Sequence, residues 1–190
     1  MTAPTATATA APPVTATVIG FDGSLTASGL AVWHNQRWTF DTIRTHPGLP
    51  LEDRWRHITA QLWPRITRHT LVVVEGVFRG GKGHAATDLA MLHGIIRYGL
   101  HTRGVPCAVV NTQHLKQFAT GRGNATKGQM VTAARERLGL PLSSDDQADA
   151  AWLAAVALHR YGQPLCPTTA LQDAVAAGVR WPAWQFEAAA

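Results

Sequence analysis

VIGFDGSLTASGLAVWHNQRWTFDTI, residues 18–43, decides the fold. It opens on a short apolar strand, VIGF (18–21). LAVWH (30–34) and RWTFDTI (37–43) read as its antiparallel partners, with a turn near His34-Asn35-Gln36. Further on, LVVV (71–74) and PCAVVN (106–111) are apolar runs of the kind buried on both faces. Helix patterns fall over 51–68, 85–102, 112–118, 126–138 and 144–161. In the first of these, Leu51, Trp55, Ile58, Leu62 and Ile66 share one face. Three strands followed by strands alternating with helices predict an α/β chain, a mixed sheet covered by helices. Ligands of such sheets gather at the carboxyl ends of the parallel strands. Asp22 and Glu75 stand at those ends.

Around this centre the organisation is simple. Residues 1–13, MTAPTATATAAPP, are a Thr/Ala/Pro tract expected to be a disordered leader. Residues 14–162 are expected to form one domain, and 163–190, with three prolines and the Trp181-Pro-Ala-Trp184 segment, an irregular tail. Trp181 and Trp184 would dock on the domain or on another protein. With 190 residues, 46% of them hydrophobic, the chain is long enough for one real core. A net charge of +5 favours a polyanionic partner, nucleic acid before membrane. Cys107 and Cys166 show neither metal-type spacing nor a disulfide framework. No apolar run approaches a membrane span and no signal peptide is evident, so a soluble, reducing compartment is expected.

Asp22, Glu75, Asp146 and Asp149 are the candidate ligands of a hard cation. Asp22 in Asp-Gly would also suit a plain turn. Glu75 is less ordinary, because a carboxylate directly after a doubly buried strand calls for a cation or basic partner. Asp146 and Asp149 lie three apart on one helix face. Ser144-Asp145-Asp146-Gln147 reads as a capping box, and acids there also favour the helix dipole. That accounts for Asp145 and Asp146, but not for Asp149, which heads the apolar run Ala150 to Leu158. Asp145 points about 100° away from Asp146 and reads as a cap neighbour. Carboxylate oxygens suit Mg²⁺ or Mn²⁺, and a pair of such ions can drive phosphodiester hydrolysis.

The chain resembles the RuvC-type Holliday junction resolvases of the RNase H-like superfamily. The matching stretches are IGFDGSLTASGLAV (19–32), VVVEGVF (72–78), HLKQFATGRGNATKGQM (114–130) and DDQADAAWLAAVALH (145–159). The resemblance implies an RNase H-like fold with a mixed five-stranded sheet, three antiparallel strands then two parallel, and helices on both faces. It implies a homodimeric endonuclease of bacterial or phage origin, cytoplasmic, nicking symmetry-related strands of branched DNA in recombination and repair. Asp22, Glu75, Asp146 and Asp149 correspond to the family's metal-binding acids, holding two Mg²⁺ or Mn²⁺ ions. Phe78 matches an aromatic set against junction bases, and Lys116 and Lys127 match lysines serving catalysis and backbone binding. The sequence departs from the family in having Asp-Gly-Ser where many relatives have Asp-Pro-Gly. It also departs in the glycine-rich loop 76–84, the leader and the Trp-containing tail.

Each basic or aromatic candidate has a plainer reading beside the functional one. Lys127 and Lys116 reach a phosphate as point charges, or are solvated lysines on helix starts. Arg122 between Gly121 and Gly123 suits approach to a backbone, or a tight loop. Phe78 is a wedge for unpaired bases or an anchor for its own loop, and Arg79 and Lys82 would then grip phosphates. The 76–83 segment has most of a P-loop, but Gly83 replaces the Mg²⁺-binding hydroxyl and Glu75 would repel nucleotide phosphates. His84, His93 and His114 share no metal spacing and read as surface or core residues. Two other activities compete: a nuclease of the same superfamily acting on structured RNA, and an actin-like ATP-binding protein, for which there is little room.

Overall fold

The computed structural model describes residues 16–76, 83–142 and 144–186. The leader 1–13 and the loop residues Phe78, Arg79 and Lys82 lie outside them. Strand β1 (Thr17–Asp22) pairs antiparallel with β2 (Ala27–His34), which pairs antiparallel with β3 (Arg37–Arg44). On its other side β1 runs parallel to β4 (Thr70–Gly76), and β4 parallel to β5 (Cys107–Asn111). The sheet order is therefore β3-β2-β1-β4-β5, the mixed five-stranded arrangement expected. The β2–β3 hairpin closes through Asn35 and Gln36, at φ 48° and 60°. Two successive left-handed residues give the tight turn whose twist matches the strands. Among the described residues this sheet is not joined by the second domain that an actin-like ATP site needs.

Two core layers follow from strand alternation. Ile19, Phe21, Leu30, Val72 and Val74 face α1 (Leu51–Leu62) and α2 (His84–Thr102). Helix α1 stops short of the expected 68, and Trp63–Arg65 continue as a 3-10 turn. Pro64 has no N–H to donate back along an α-helix. Val18, Ala31, Leu71, Val73, Ala108 and Val110 face the other way. That layer holds α3 (Thr112–Thr120), α4 (Lys127–Leu138) and α5 (Asp145–Arg160).

Helix α5 is buried on nearly every side from Ala150 to Leu158, enclosed between the sheet and α3, α4 and α6 (Ala170–Gly178). Its backbone sits directly on β1 and β2. A Cβ at Gly20 would lie 1.8 Å from the Ala150 carbonyl oxygen, and one at Gly29 would lie 1.9 Å from that of Asp146. The expected Ser144–Gln147 capping box does not form, because Gln147 Nε2 instead donates to Thr42 Oγ1 of β3 at 3.2 Å. A complete capping box occurs at Thr126–Gln129, opening α4.

The tail is more regular than expected. It forms α6 (Ala170–Gly178), opened by a Thr169–Gln172 capping box, with Pro164, Pro167 and Pro182 flanking the helix rather than interrupting it. Val175, Ala176 and Val179 join the α5 core layer. Trp181 and Trp184 dock on the domain itself: both rings meet Tyr161 edge-on, at centroid distances of 5.8 and 5.0 Å. Phe186 meets Trp33 of β2 at 5.9 Å.

Gly20→Ala is expected to cost about 3 kcal/mol or more, since a rigid helix backbone must move to admit the methyl. Gly128→Ala on exposed α4, where an added Cβ meets nothing within 4 Å, should be neutral or stabilising by up to about 1 kcal/mol. Urea denaturation of the two variants checks both.

Candidate metal centre

The parallel register pairs Phe21 with Val74, so Asp22 and Glu75 come next, side by side on adjacent strands. Adjacent strands lie about 4.8 Å apart. Alternation sends Asp22 to the face of Val18 and Gly20, and Glu75 to the face of Leu71 and Val73. Both carboxylates therefore emerge on the α5 side. Across β1, Asp22 pairs with Gly29, the residue on which the first turn of α5 rests. The seat that fixes α5 thus delivers Asp146 and Asp149 to the same strand ends.

The four acids act on one another electrostatically. Burial, first, and then the charges of Glu75, Asp149 and Asp146 push the Asp22 carboxyl well above the usual carboxylate range. A hydrogen bond between Asp22 and Glu75 adds to this, with Asp22 as the protonated member. Glu75 is also raised by burial, opposed by hydrogen bonds from Thr112 and Asp22 and by the charges of Lys116 and Lys127. Asp149 is pushed up to about 7, by burial first and then by Glu75 and Asp145. Asp146 is raised by burial and by Asp145, against Lys127, Arg44 and a hydrogen bond from Ser144.

Such a cluster fits a hard cation. Asp149 Oδ1 is buried and has no hydrogen-bond partner among the described residues, a costly state for a carboxylate oxygen. All four acids nevertheless keep a partly exposed surface, which leaves an entry path. Among the described residues no three acidic, histidine or cysteine side chains close into a finished cage. A cation bound there would offset the repulsion that remains among them. Asp22, Glu75, Asp146 and Asp149 are the residues that would hold it, through oxygen atoms alone.

The flanking cations divide. Lys116 on α3 and Lys127 at the first position of α4 both act on Glu75 and Asp149. Lys127 forms an ion pair with Asp145, which raises the lysine and lowers the aspartate. Asp145 is thus the partner of Lys127 rather than only a cap neighbour. Arg122 is not drawn to the acids: it is exposed on the α3–α4 loop, on a shallow pocket of about 340 Å³ shared with Thr120, Gln129 and Arg137.

Two contributors went unread in the sequence, Thr112 and Arg44, and a third, His93, is the core histidine expected but with a partner at the site. Thr112, one residue past β5, hydrogen-bonds Glu75. Its position just beyond a parallel strand was the available signal. Arg44, at the end of β3, places charge near Asp146. His93 of α2 is buried and held neutral mainly by desolvation, and its Nε2 lies 3.2 Å from the Gly23 carbonyl. A carbonyl only accepts, so Nε2 carries the proton. A Cβ on Gly23 would come within 2.9 Å of that ring, so the glycine is needed for the approach. Helical periodicity places His93 on the buried side with Leu92 and Ile96, but cannot name its partner.

Residues 18–159 match the family model "Crossover junction endodeoxyribonuclease RuvC". The chain belongs to this family. It is 31% identical over 169 residues to the RuvC of Rhodococcus opacus, covering 84% of this chain and 89% of that protein. With the RuvC of Nocardia farcinica it shares 30% identity at the same coverage. The solved RuvC structure from Thermus thermophilus matches with a TM-score of 0.62 at 24% identity, covering 80% of this chain and 99% of the other. The structure of T. thermophilus RuvC in complex with a Holliday junction substrate gives 0.63 at the same identity and coverage. These likenesses establish the RuvC fold. Asp22, Glu75, Asp146, Asp149, Lys116 and Lys127 all lie inside the matched RuvC segment, and α6 with the aromatic tail lies beyond it. Among the described residues no helix is long and apolar enough to cross a membrane.

Asp149 titrates at about 7 in the folded protein and at about 4 in an unfolded chain. Between those values the folded state holds a proton that the unfolded state lacks, so stability falls as pH rises. In chelator, the melting temperature should be lower at pH 8 than at pH 5.5, and Asp149→Asn should shrink that difference. Added Mg²⁺ should raise the melting temperature more at pH 8 than at pH 5.5, because only the ionised carboxylates bind it. Thermal melts at the two pH values, with and without metal, measure both effects.

Proposed function

We propose that this chain is a metal-dependent endonuclease that resolves four-way (Holliday) junctions or related branched DNA, acting as a homodimer in the cytoplasm of a bacterial or phage-infected cell. The observation that carries the reading is the set of four converging acids, among them Asp149, whose buried Oδ1 has no donor among the described residues. Two Mg²⁺ or Mn²⁺ ions bound there would activate a water and neutralise the departing 3′ oxygen of a phosphodiester, leaving a 5′-phosphate.

The chain's own residues do the rest. Asp22 gives up the proton it shares with Glu75 when the site loads. His93 holds the Gly23 carbonyl and so fixes the turn that carries Asp22. Lys127 is exposed at the start of α4 and paired with Asp145, and exchanging that partner would turn its charge onto a phosphate in the transition state. Lys116 steadies Glu75 and meets the backbone from the β5 side. Arg122, on the α3–α4 loop, takes a phosphate further along the strand. Phe78, Arg79 and Lys82, in the loop after Glu75, are the proposed base wedge and phosphate grips.

Helix α2 supports the dimer. Met91, Ile95 and Tyr98 recur at i, i+4 and i+7 and are 48%, 37% and 70% exposed. Gly94 lies in the same stripe, and an added Cβ there would meet nothing within 4 Å. Two such stripes crossing at Gly94 would bury the apolar surface and set two acid sites about a two-fold axis, matching the symmetry of a four-way junction.

The assay offers labelled four-way, flap and linear duplex DNA, and matched RNA, in Mg²⁺ with product mapping. Paired nicks in the four-way DNA are expected, with little cutting of duplex or RNA. Asp22→Asn, Glu75→Gln and Asp149→Asn should each cut at least about a thousandfold more slowly, and Lys127→Ala roughly a hundredfold. Metal-dependent cutting by Asp22→Asn at the wild-type rate would overturn the reading. Tyr98→Glu should sediment as a monomer and lose paired nicking, and an unchanged mass would remove α2 as the interface.

A further inference from the structure

One cation beside the acids is unused by the mechanism above. Arg44 ends β3, at the edge of the sheet remote from Lys116. Its surroundings are braced. Thr45 N donates to the Thr26 carbonyl at 3.0 Å, carrying the β2–β3 ladder one residue past Arg44. Arg54 of α1 reaches the same corner, with Nη2 on the Leu25 carbonyl at 2.7 Å and Nε on Thr45 Oγ1 at 3.1 Å. The Thr45 hydroxyl in turn donates to the Leu25 carbonyl. The corner is thereby tied to the loop that follows Asp22.

Strand alternation sets the direction of Arg44. Ile43 is buried with the α1/α2 layer, so Thr42 and Arg44 share the opposite face. Thr42 accepts the hydrogen bond from Gln147, which identifies that face as the one against the first turn of α5. Arg44 lies beyond Thr42 on it, beside Asp146, whose carboxyl its charge holds down. Yet the Arg44 side chain is exposed, and its guanidinium makes neither a hydrogen bond nor an ion pair among the described residues. A guanidinium kept only to neutralise Asp146 would close a forked contact on it. This one stands exposed at a strand end, close enough for its charge to act on Asp146.

We infer that Arg44 binds a backbone phosphate of the cleaved strand, on the β3 side of the acids and opposite Lys116. The inference rests on the nuclease reading for the identity of the strand. The guanidinium fork matches two phosphate oxygens, and the braced corner presets its position. The strand would then be held on both sides of the scissile bond, which orients it over the acids rather than merely attracting it.

The test compares Glu75→Gln protein, slowed in cutting, with the same protein carrying Arg44→Ala or Arg44→Lys. Fluorescence anisotropy reads binding to a labelled four-way junction and to linear duplex across a series of salt concentrations. Arg44→Ala is expected to weaken binding roughly fivefold near 0.1 M salt and to lower the slope of log affinity against log salt by about 0.9, one phosphate contact. Arg44→Lys should keep the slope while losing part of the affinity. Unchanged affinity and slope in Arg44→Ala would overturn the inference. So would unchanged binding together with a shifted Mg²⁺ requirement for cutting in an otherwise wild-type background, which makes Arg44 only a counter-charge to Asp146. Failure of the nuclease reading shows elsewhere, as absence of junction preference and of nicking by protein with Arg44 intact. The slope change on linear duplex still decides the phosphate contact in that case.

Discussion

Helix α5 rests on β1 and β2 with no side chain between the backbones at Gly20 and Gly29. That contact governs the rest of the molecule. With Ala150 seated on Gly20 and Asp146 on Gly29, the helix cannot slide along the strands or rotate about its axis without collision. The alanine-rich surface of α5 lets the sheet and the outer helices approach it closely, and Trp152 fills the larger gap beneath α4, with its indole N–H on the Met130 carbonyl. Gln147 adds a polar tie to β3. Two carboxylates three residues apart are thereby held at a fixed height over two others on neighbouring strands.

The same contact creates an electrostatic conflict within the fold. Four acids share a partly buried volume, and each raises or is raised by another. Lys116 and Lys127 offset only part of this, and Lys127 spends much of its charge on Asp145. Such a cluster costs stability, a cost that a bound cation would offset. Thr112 on Glu75 and His93 on the Gly23 carbonyl brace the two strand ends from behind.

Much of this was legible in the residues. The strands of 18–43 and their hairpin turn, LVVV, and PCAVVN gave the mixed sheet, because period-two burial and turn chemistry are local properties. Glu75 and Asp149 stood out for a local reason too, a carboxylate adjoining an apolar run. The tail holds a helix where an irregular segment is expected, because its prolines lie outside α6 and Thr169-Ala-Leu-Gln172 carries a cap signal as clear as the one that opens α4. At Ser144 the cap signal was present and the box was not, since a partner on β3 took Gln147.

The sequence by itself determined which residues lie on strand ends, which lie on one helix face, and which carboxylates had no ordinary excuse. Those facts depend on neighbours within a few positions. Only the tertiary structure decided that the four acids meet, that Asp145 answers to Lys127, that Arg122 stands apart, and that Arg44 comes to Asp146 across the sheet edge. Each of those depends on register and on how closely α5 approaches the strands. That distance is set by the missing side chains of two glycines more than a hundred residues away from it in the chain.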